Sequence, residues 1–155
     1  MPGPDLSCVF LNLHFRNPIV LCSGVIGTSV NLLNRAAEVG AGGVIAKSCS
    51  LMPRAGHPNP VTVDWGEGII NAIGLTNPGA EPEVHMLKEA RETLEPAGVP
   101  VIASIFGGTV EEYREVARVI AQANAHLIEV NISCPNVADE FGTPFSGSCE
   151  SAAEV

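Results

Sequence analysis

Four short runs of apolar, largely β-branched residues recur along the chain: "IVLCSG", "GVIAKS", "VPVIASIFG" and "HLIEVNIS", each bounded by Gly, Pro or polar residues. Unbroken apolar runs of this length suit strands buried on both faces. Between them the period changes to that of a helix. In "TVEEYREVARVIAQA", Val110, Tyr113, Val116, Ala117 and Ile120 share one face, and Thr109 with Glu112 three residues later reads as a capping box. Further helices are predicted in "NLLNRAAEVG", which Gly40 can end, and in "PEVHMLKEARETL", where Val84, Leu87, Ala90 and Leu94 make the stripe.

Alternation of buried strand and helix calls for a parallel sheet with right-handed crossovers, either doubly wound or closed as a (β/α)8 barrel. After Leu21 the chain reads "CSGVIGT", which lacks the spacing of a dinucleotide-binding fingerprint, and the second strand ends in Lys47 rather than an acidic residue. Both observations disfavour the doubly wound arrangement. The barrel accounts for a regularity: each run ends in polar chemistry, with Ser23 and Gly24, then Lys47 and Ser48, then Ser104, then Asn131 and Cys134. Barrel enzymes carry their sites at that C-terminal rim. The segment "CVFLNLHFRNPIV" reads as an antiparallel hairpin closing the bottom of the barrel. The stretch from Leu51 to Gly79 is too long for a simple connection and is read as a functional loop, with "PVTVDWGEGIINAIGL" as a hairpin over the rim. Four strands and three helices are half of a barrel that takes about 250 residues, and "ESAAEV" looks like the first turn of a fourth helix. Residues 1–155 are therefore expected to be the N-terminal half of a single barrel domain, about its first four β/α units.

Composition narrows the partners. At 155 residues, 46% hydrophobic and 16% charged, the chain can build one ordinary core. Seventeen acidic against eight basic side chains give a net charge of -9, which repels a phosphate backbone, so no nucleic acid is expected. No apolar run approaches the roughly 20 residues that span a bilayer, and "MPGPDLS" has no signal-peptide pattern; a cytoplasmic protein with no membrane partner is expected. Cys8, Cys22, Cys49, Cys134 and Cys149 are widely spaced without a C-x-x-C, so neither a disulfide scaffold nor a metal is expected. Four of them read as small buried or half-exposed hydrophobes of a reducing compartment. Cys134 differs because of its neighbours.

Those neighbours lie in "IEVNISCPN". A thiol beyond a barrel strand, beside Pro135, can serve as base or nucleophile when its thiolate is accessible, or can be a buried spacer. Asn131 and Asn136 carry carboxamides that donate and accept at once, which suits a planar ring bearing C=O and N–H groups, although a structural loop clamp uses the same groups. Lys47 is a fixed cation at the barrel mouth or a lysine snorkelling from a strand end. Asn71 and Asn77 bracket "AIGLT", where Gly74 allows the backbone to approach a ligand or simply forms a turn. The four histidines show no ligand spacing.

Taken together and in order, "VLCSGVIG", "IAKSCSLMPRAGHPNP", "NAIGLTNPG", "VIASIFGGTVEEY" and "EVNISCPNV" resemble the class 1 dihydroorotate dehydrogenases, and "NAIGLTNPG" is similar to the NAD-linked subclass. The resemblance runs from about Leu11 to the end of the chain. It implies a (β/α)8 barrel of the TIM type that oxidises dihydroorotate to orotate in pyrimidine biosynthesis, with FMN over the C-terminal rim. It makes Cys134 the catalytic base and Lys47 a contact to both FMN and substrate. Ser23, Gly24, Ser48 and Ser104 become flavin contacts, Asn131 a contact to flavin and orotate, and Asn71, Ala72, Ile73, Gly74 and Leu75 the substrate loop. Ser104 stands where the family usually has Asn, so a flavin contact there is shortened or mediated by water. The subclass passes electrons to a partner subunit with FAD and an iron-sulfur cluster, for which this chain has no cysteine spacing of its own; an oligomer is expected. Two alternatives stand beside this reading: a related flavin-dependent dihydropyrimidine dehydrogenase, and a non-catalytic barrel fragment. The 155 residues are expected to be inactive alone.

Overall fold

The protein is described by a computed structural model covering residues 4–134 and 142–155. Strands β1 (Cys8–Phe10) and β2 (Leu13–Phe15) form an antiparallel hairpin, turned by Leu11 and Asn12 in the left-handed region. They are followed by β3 (Val20–Leu21), helix α1 (Val30–Glu38) and β4 (Gly43–Ile45). A second hairpin, β5 (Thr62–Asp64) with β6 (Ile69–Asn71), precedes α2 (Ala80–Leu94). Then come β7 (Val101–Ile105), α3 (Val110–Ile120), β8 (Leu127–Val130) and the short α4 (Cys149–Glu154).

The sheet has the order β3-β4-β7-β8 with every pair parallel, so the alternation read from the sequence yields the expected β/α succession. One face of the sheet packs against the helices. Val44, Val101 and Ile105 from the strands meet Leu33, Leu87, Val116 and Ile120 from the helices, all at 2% exposure or less. Each such side chain contributes about 1.5–3 kcal/mol by leaving water. The stripe predicted on α2, from Val84 to Leu94, is buried throughout. Thr109 caps α3 as the box requires, accepting from the Glu112 N–H at 3.2 Å, while the Glu112 carboxylate reaches back to the Gly108 N–H at 2.6 Å. Gly40 follows α1 with φ of 112°, the conformation a helix stop needs.

The other, concave face is closed at its lower end by the first hairpin. Phe15 is buried and lies over the start of β4, where a Cβ on Gly43 would meet its ring at 2.7 Å; only glycine admits the plug.

A register shift shapes the upper end. Ile45 pairs with Ile102 and Cys49 bridges to Ile105, so the β4 side advances four residues while β7 advances three. The extra residue makes a bulge at Ala46 to Ser48, and bulges re-aim side chains. Here it lets Lys47 and Ser48, neighbours in sequence, both line the concave face.

Candidate functional site

The strand ends and the loop after β6 border an open cavity of about 370 Å³ on the concave face, lined by Ser23, Gly24, Lys47, Ser48, Asn71, Ile73, Gly74, Leu75, Asn131 and Cys134 together with Val25 and Ser133. Ten of the twelve site residues that the family resemblance implies thus converge. Ala72 is exposed and engaged through its N–H with the Val61 carbonyl, and Ser104 lies beneath the cavity floor at 1% exposure. Asn136 lies outside the described residues.

A hydrogen-bonded chain forms the floor. Ser23 and Ser104 both donate to the same carboxylate oxygen of Glu129, at 2.8 and 2.7 Å. The Ser104 and Ser48 hydroxyls are 2.8 Å apart, and the Asn131 carboxamide donates to Ser48 at 3.2 Å. The Asn131 carbonyl oxygen accepts from the Ser133 N–H and hydroxyl at 3.3 and 3.2 Å. The Ser23 to Glu129 bond joins the first and last strands of the sheet across its concave face. Glu129 was missed in the sequence because it sits inside an apolar run. The signal was there as alternation: Ile128 and Val130 are exposed, so Leu127, Glu129 and Asn131 share the concave side, and Glu129 pairs in register with Ser104.

Above this floor, Lys47 is half-buried with no carboxylate within 4 Å among the described residues. Its ammonium lies 3.6 Å from where a Cβ on Gly24 would stand, so glycine there leaves the cation uncovered. A cation held without a counter-ion in a polar cavity favours an anionic or carbonyl-rich ligand. Asn131 offers a second, uncharged donor. Lys47, Asn131 and the serines therefore fit a planar ring with alternating C=O and N–H groups.

Cys134 is half-buried and lies between this cavity and a smaller one of about 30 Å³, lined in part by Tyr113, Asn131, Phe145 and Thr143. The loop carrying it is pinned from both sides: the Tyr113 hydroxyl donates to the Asn131 carbonyl at 2.7 Å, and the Ser146 N–H donates to Ile132 at 3.0 Å. The thiol is thus held at the cavity wall.

Two neighbouring residues have clear structural partners. Asn77 is buried, donating to Leu75 and Ser50 and accepting from the Gly79 and Ser50 N–H groups, which clamps the loop into α2. Gly74 is needed, with φ of 75°, but its close neighbour is His57, whose N and ring carbon lie 2.7 Å from a would-be Cβ. Of the remaining cysteines, Cys49 is buried and Cys8 half-buried as expected. Cys22 and Cys149 are exposed, which corrects the expectation that both would be at least half-covered: each sits at an element boundary, outside the packed face.

A parallel sheet whose strands lie side by side in chain order, with the helices on one face and the polar chemistry at the C-terminal ends on the other, is the arrangement of the (β/α)8-barrel class. The profile of the family described as dihydroorotate dehydrogenase matches residues 5–151, and the chain belongs to that family. Among curated relatives, the catalytic subunit of dihydroorotate dehydrogenase B (NAD(+)) from Pyrococcus abyssi is 43% identical over 143 residues, covering 92% of this chain and 46% of the relative. The protein of the same name from Methanothermobacter thermautotrophicus is 44% identical over 125 residues, covering 81% and 39%. A putative dihydroorotate dehydrogenase A (fumarate) from Aeropyrum pernix is 38% identical over 135 residues, covering 87% and 43%. The chain spans somewhat less than half the length of these relatives.

Proposed function

We propose that the protein oxidises dihydroorotate to orotate with FMN as its cofactor, that Cys134 is the base, and that these residues supply one side of the site. The observation that carries the reading is the convergence of Cys134, Lys47, Asn71 and Asn131 on one cavity. The reaction removes a proton from C5 and a hydride from C6 of the substrate ring. Bound FMN supplies the hydride acceptor. Cys134, as thiolate, takes the C5 proton; a saturated ring carbon is a weak acid, so a positioned base is worth roughly two to four orders of magnitude in rate. Lys47 holds negative charge of the substrate and stabilises charge that develops on a ring carbonyl as the C5 proton leaves. Asn71 aligns the ring edge by donating and accepting, while Asn131, whose oxygen is taken by Ser133, donates to it. The loop Asn71 to Leu75 covers the substrate, and Ser23, Gly24, Ser48 and Asn131 meet the flavin, with Ser104 acting through Ser48.

Because the Pyrococcus abyssi and Methanothermobacter thermautotrophicus relatives are named as catalytic subunits of the NAD(+) type, the reducing equivalents are proposed to leave through a separate electron-transfer subunit carrying FAD and an iron-sulfur cluster. The test is turnover of dihydroorotate against dihydrouracil by the flavin-loaded full-length protein that contains these residues. Preference for dihydroorotate supports the proposal. Preference for dihydrouracil assigns the protein to the dihydropyrimidine dehydrogenase reading instead.

A further inference from the structure

Glu129 has no place in the reaction as set out above, yet it anchors the polar floor of the cavity. Its carboxylate can only accept hydrogen bonds, so both contacts to its Oε1 are donated, by Ser23 at 2.8 Å and by Ser104 at 2.7 Å. Each serine has one proton. With its proton committed to Glu129, Ser104 can only accept across the 2.8 Å contact with Ser48, so Ser48 is the donor there. Ser48 in turn has only lone pairs left for the Asn131 carboxamide, which donates to it at 3.2 Å. The carboxamide orientation is fixed independently, because its oxygen accepts from Ser133 on the other side. Every proton along the chain then points toward Glu129.

We propose that Glu129 is a positioning residue that sets this direction, making the Ser23 and Ser48 hydroxyls pure acceptors toward the cavity while Asn131 and Lys47 remain its donors. The wall thereby acquires a fixed order of acceptors and donors, which selects a ring presenting N–H and C=O groups in the complementary order and leaves no hydroxyl free to rotate and accommodate another. Ser23, Ser48 and Ser104, which line or underlie the cavity, thus depend on Glu129, which is not itself among the residues lining it. The inference deepens the flavin reading and rests on it.

The test compares the full-length holoprotein that contains these residues with its Glu129→Gln, Glu129→Leu and Ser104→Ala variants, measuring the FMN dissociation constant and the visible absorption spectrum of the bound flavin, with thermal melting as the control for folding. Glu129→Gln keeps one carbonyl oxygen, which is all the two serine bonds use, and should hold affinity within about twofold of the parent with an unshifted spectrum. Glu129→Leu and Ser104→Ala both release the Ser48 proton. Each should weaken FMN roughly three- to tenfold, the worth of one net hydrogen bond, and shift the flavin bands in the same direction. Ser104→Ala leaves the carboxylate in place and serves if Glu129→Leu does not fold. Equal shifts in Glu129→Gln and Glu129→Leu would mean that charge alone matters and would overturn the inference, as would a Ser104→Ala spectrum identical to the parent's. A parent that binds no FMN overturns the flavin reading itself; a parent that binds it while all variants match it overturns only the role of Glu129.

Discussion

The hydroxyl of Tyr113 on α3 donates to the main-chain carbonyl of Asn131 at 2.7 Å, tying the helix after one strand to the end of the next. The same ring meets Phe145 edge-on at 5.6 Å, from the segment beyond the cysteine loop. One side chain therefore holds both ends of the segment that carries Cys134. Tyr113→Phe keeps the ring contact and leaves the carbonyl without its donor. It should lower unfolding free energy by about 1 kcal/mol, measured by denaturant titration, with little change in flavin binding. No loss of stability would show that solvent replaces the hydroxyl at no cost.

Lys47 is expected to matter to binding rather than to folding, since its ammonium faces the cavity without a carboxylate partner among the described residues. Lys47→Ala should weaken orotate binding to the flavin-loaded full-length protein by roughly ten- to a hundredfold, the worth of a charge-assisted hydrogen bond. Calorimetric titration with orotate measures this. Unchanged affinity would make Lys47 a surface lysine.

Glu83 gives a pH-dependent stability. It is 4% exposed, its Oε1 has no hydrogen-bond partner among the described residues, and burial pushes its carboxyl up from 4.5 to about 7. A carboxyl whose folded pKa is raised binds more protons in the native state. Its stabilising contribution is therefore complete below about 4.5 and is lost as the pH rises through about 7. Glu83→Gln carries no such titration, so its stability relative to the parent should increase by about 3 kcal/mol between pH 4.5 and pH 8. Urea unfolding at several pH values checks it, and parallel curves for parent and variant would contradict it.

The cysteines should separate by reactivity. Burial, with the adjacent Glu83 charge adding to it, pushes the Cys49 thiol up to about 12, whereas Cys22 and Cys149 are exposed. A thiol reagent should label Cys22 and Cys149 within the folded protein and reach Cys49 only on unfolding. Mass spectrometry of the labelled protein gives the order. Early labelling of Cys49 would indicate local opening of the sheet at the bulge.

Much of the scaffold was legible because it is local. Runs such as "GVIAKS" fix strand identity, Thr109 and Glu112 fix the start of α3, and the stripe from Val84 to Leu94 fixes the buried face of α2. The polar strand ends were legible as a group because the pattern repeats four times. What escaped depends on register or on partners distant in sequence. The bulge that turns Lys47 and Ser48 together exists only in the pairing of β4 with β7. Glu129 acquires its role from Ser23, which lies 106 residues away. Glu83 lies four residues before Leu87 and seven before Ala90, so helical spacing already placed it on the buried stripe; its charge made the surface the more natural reading.

The proposed chemistry depends above all on the Cys134 thiol at the cavity wall. The direct measurement is stopped-flow reduction by dihydroorotate of the flavin bound to the full-length protein that contains these residues, in Cys134→Ala and Cys134→Ser, beside Cys149→Ala as an exposed control. If Cys134 is the base, Cys134→Ala should reduce its flavin roughly two to four orders of magnitude more slowly than the parent while still binding FMN. Cys134→Ser should recover some of the rate at high pH, because a hydroxyl is a far weaker acid than a thiol, and Cys149→Ala should behave as the parent. Flavin reduction in Cys134→Ala as fast as in the parent would contradict the assignment and leave the thiol as a spacer in the wall.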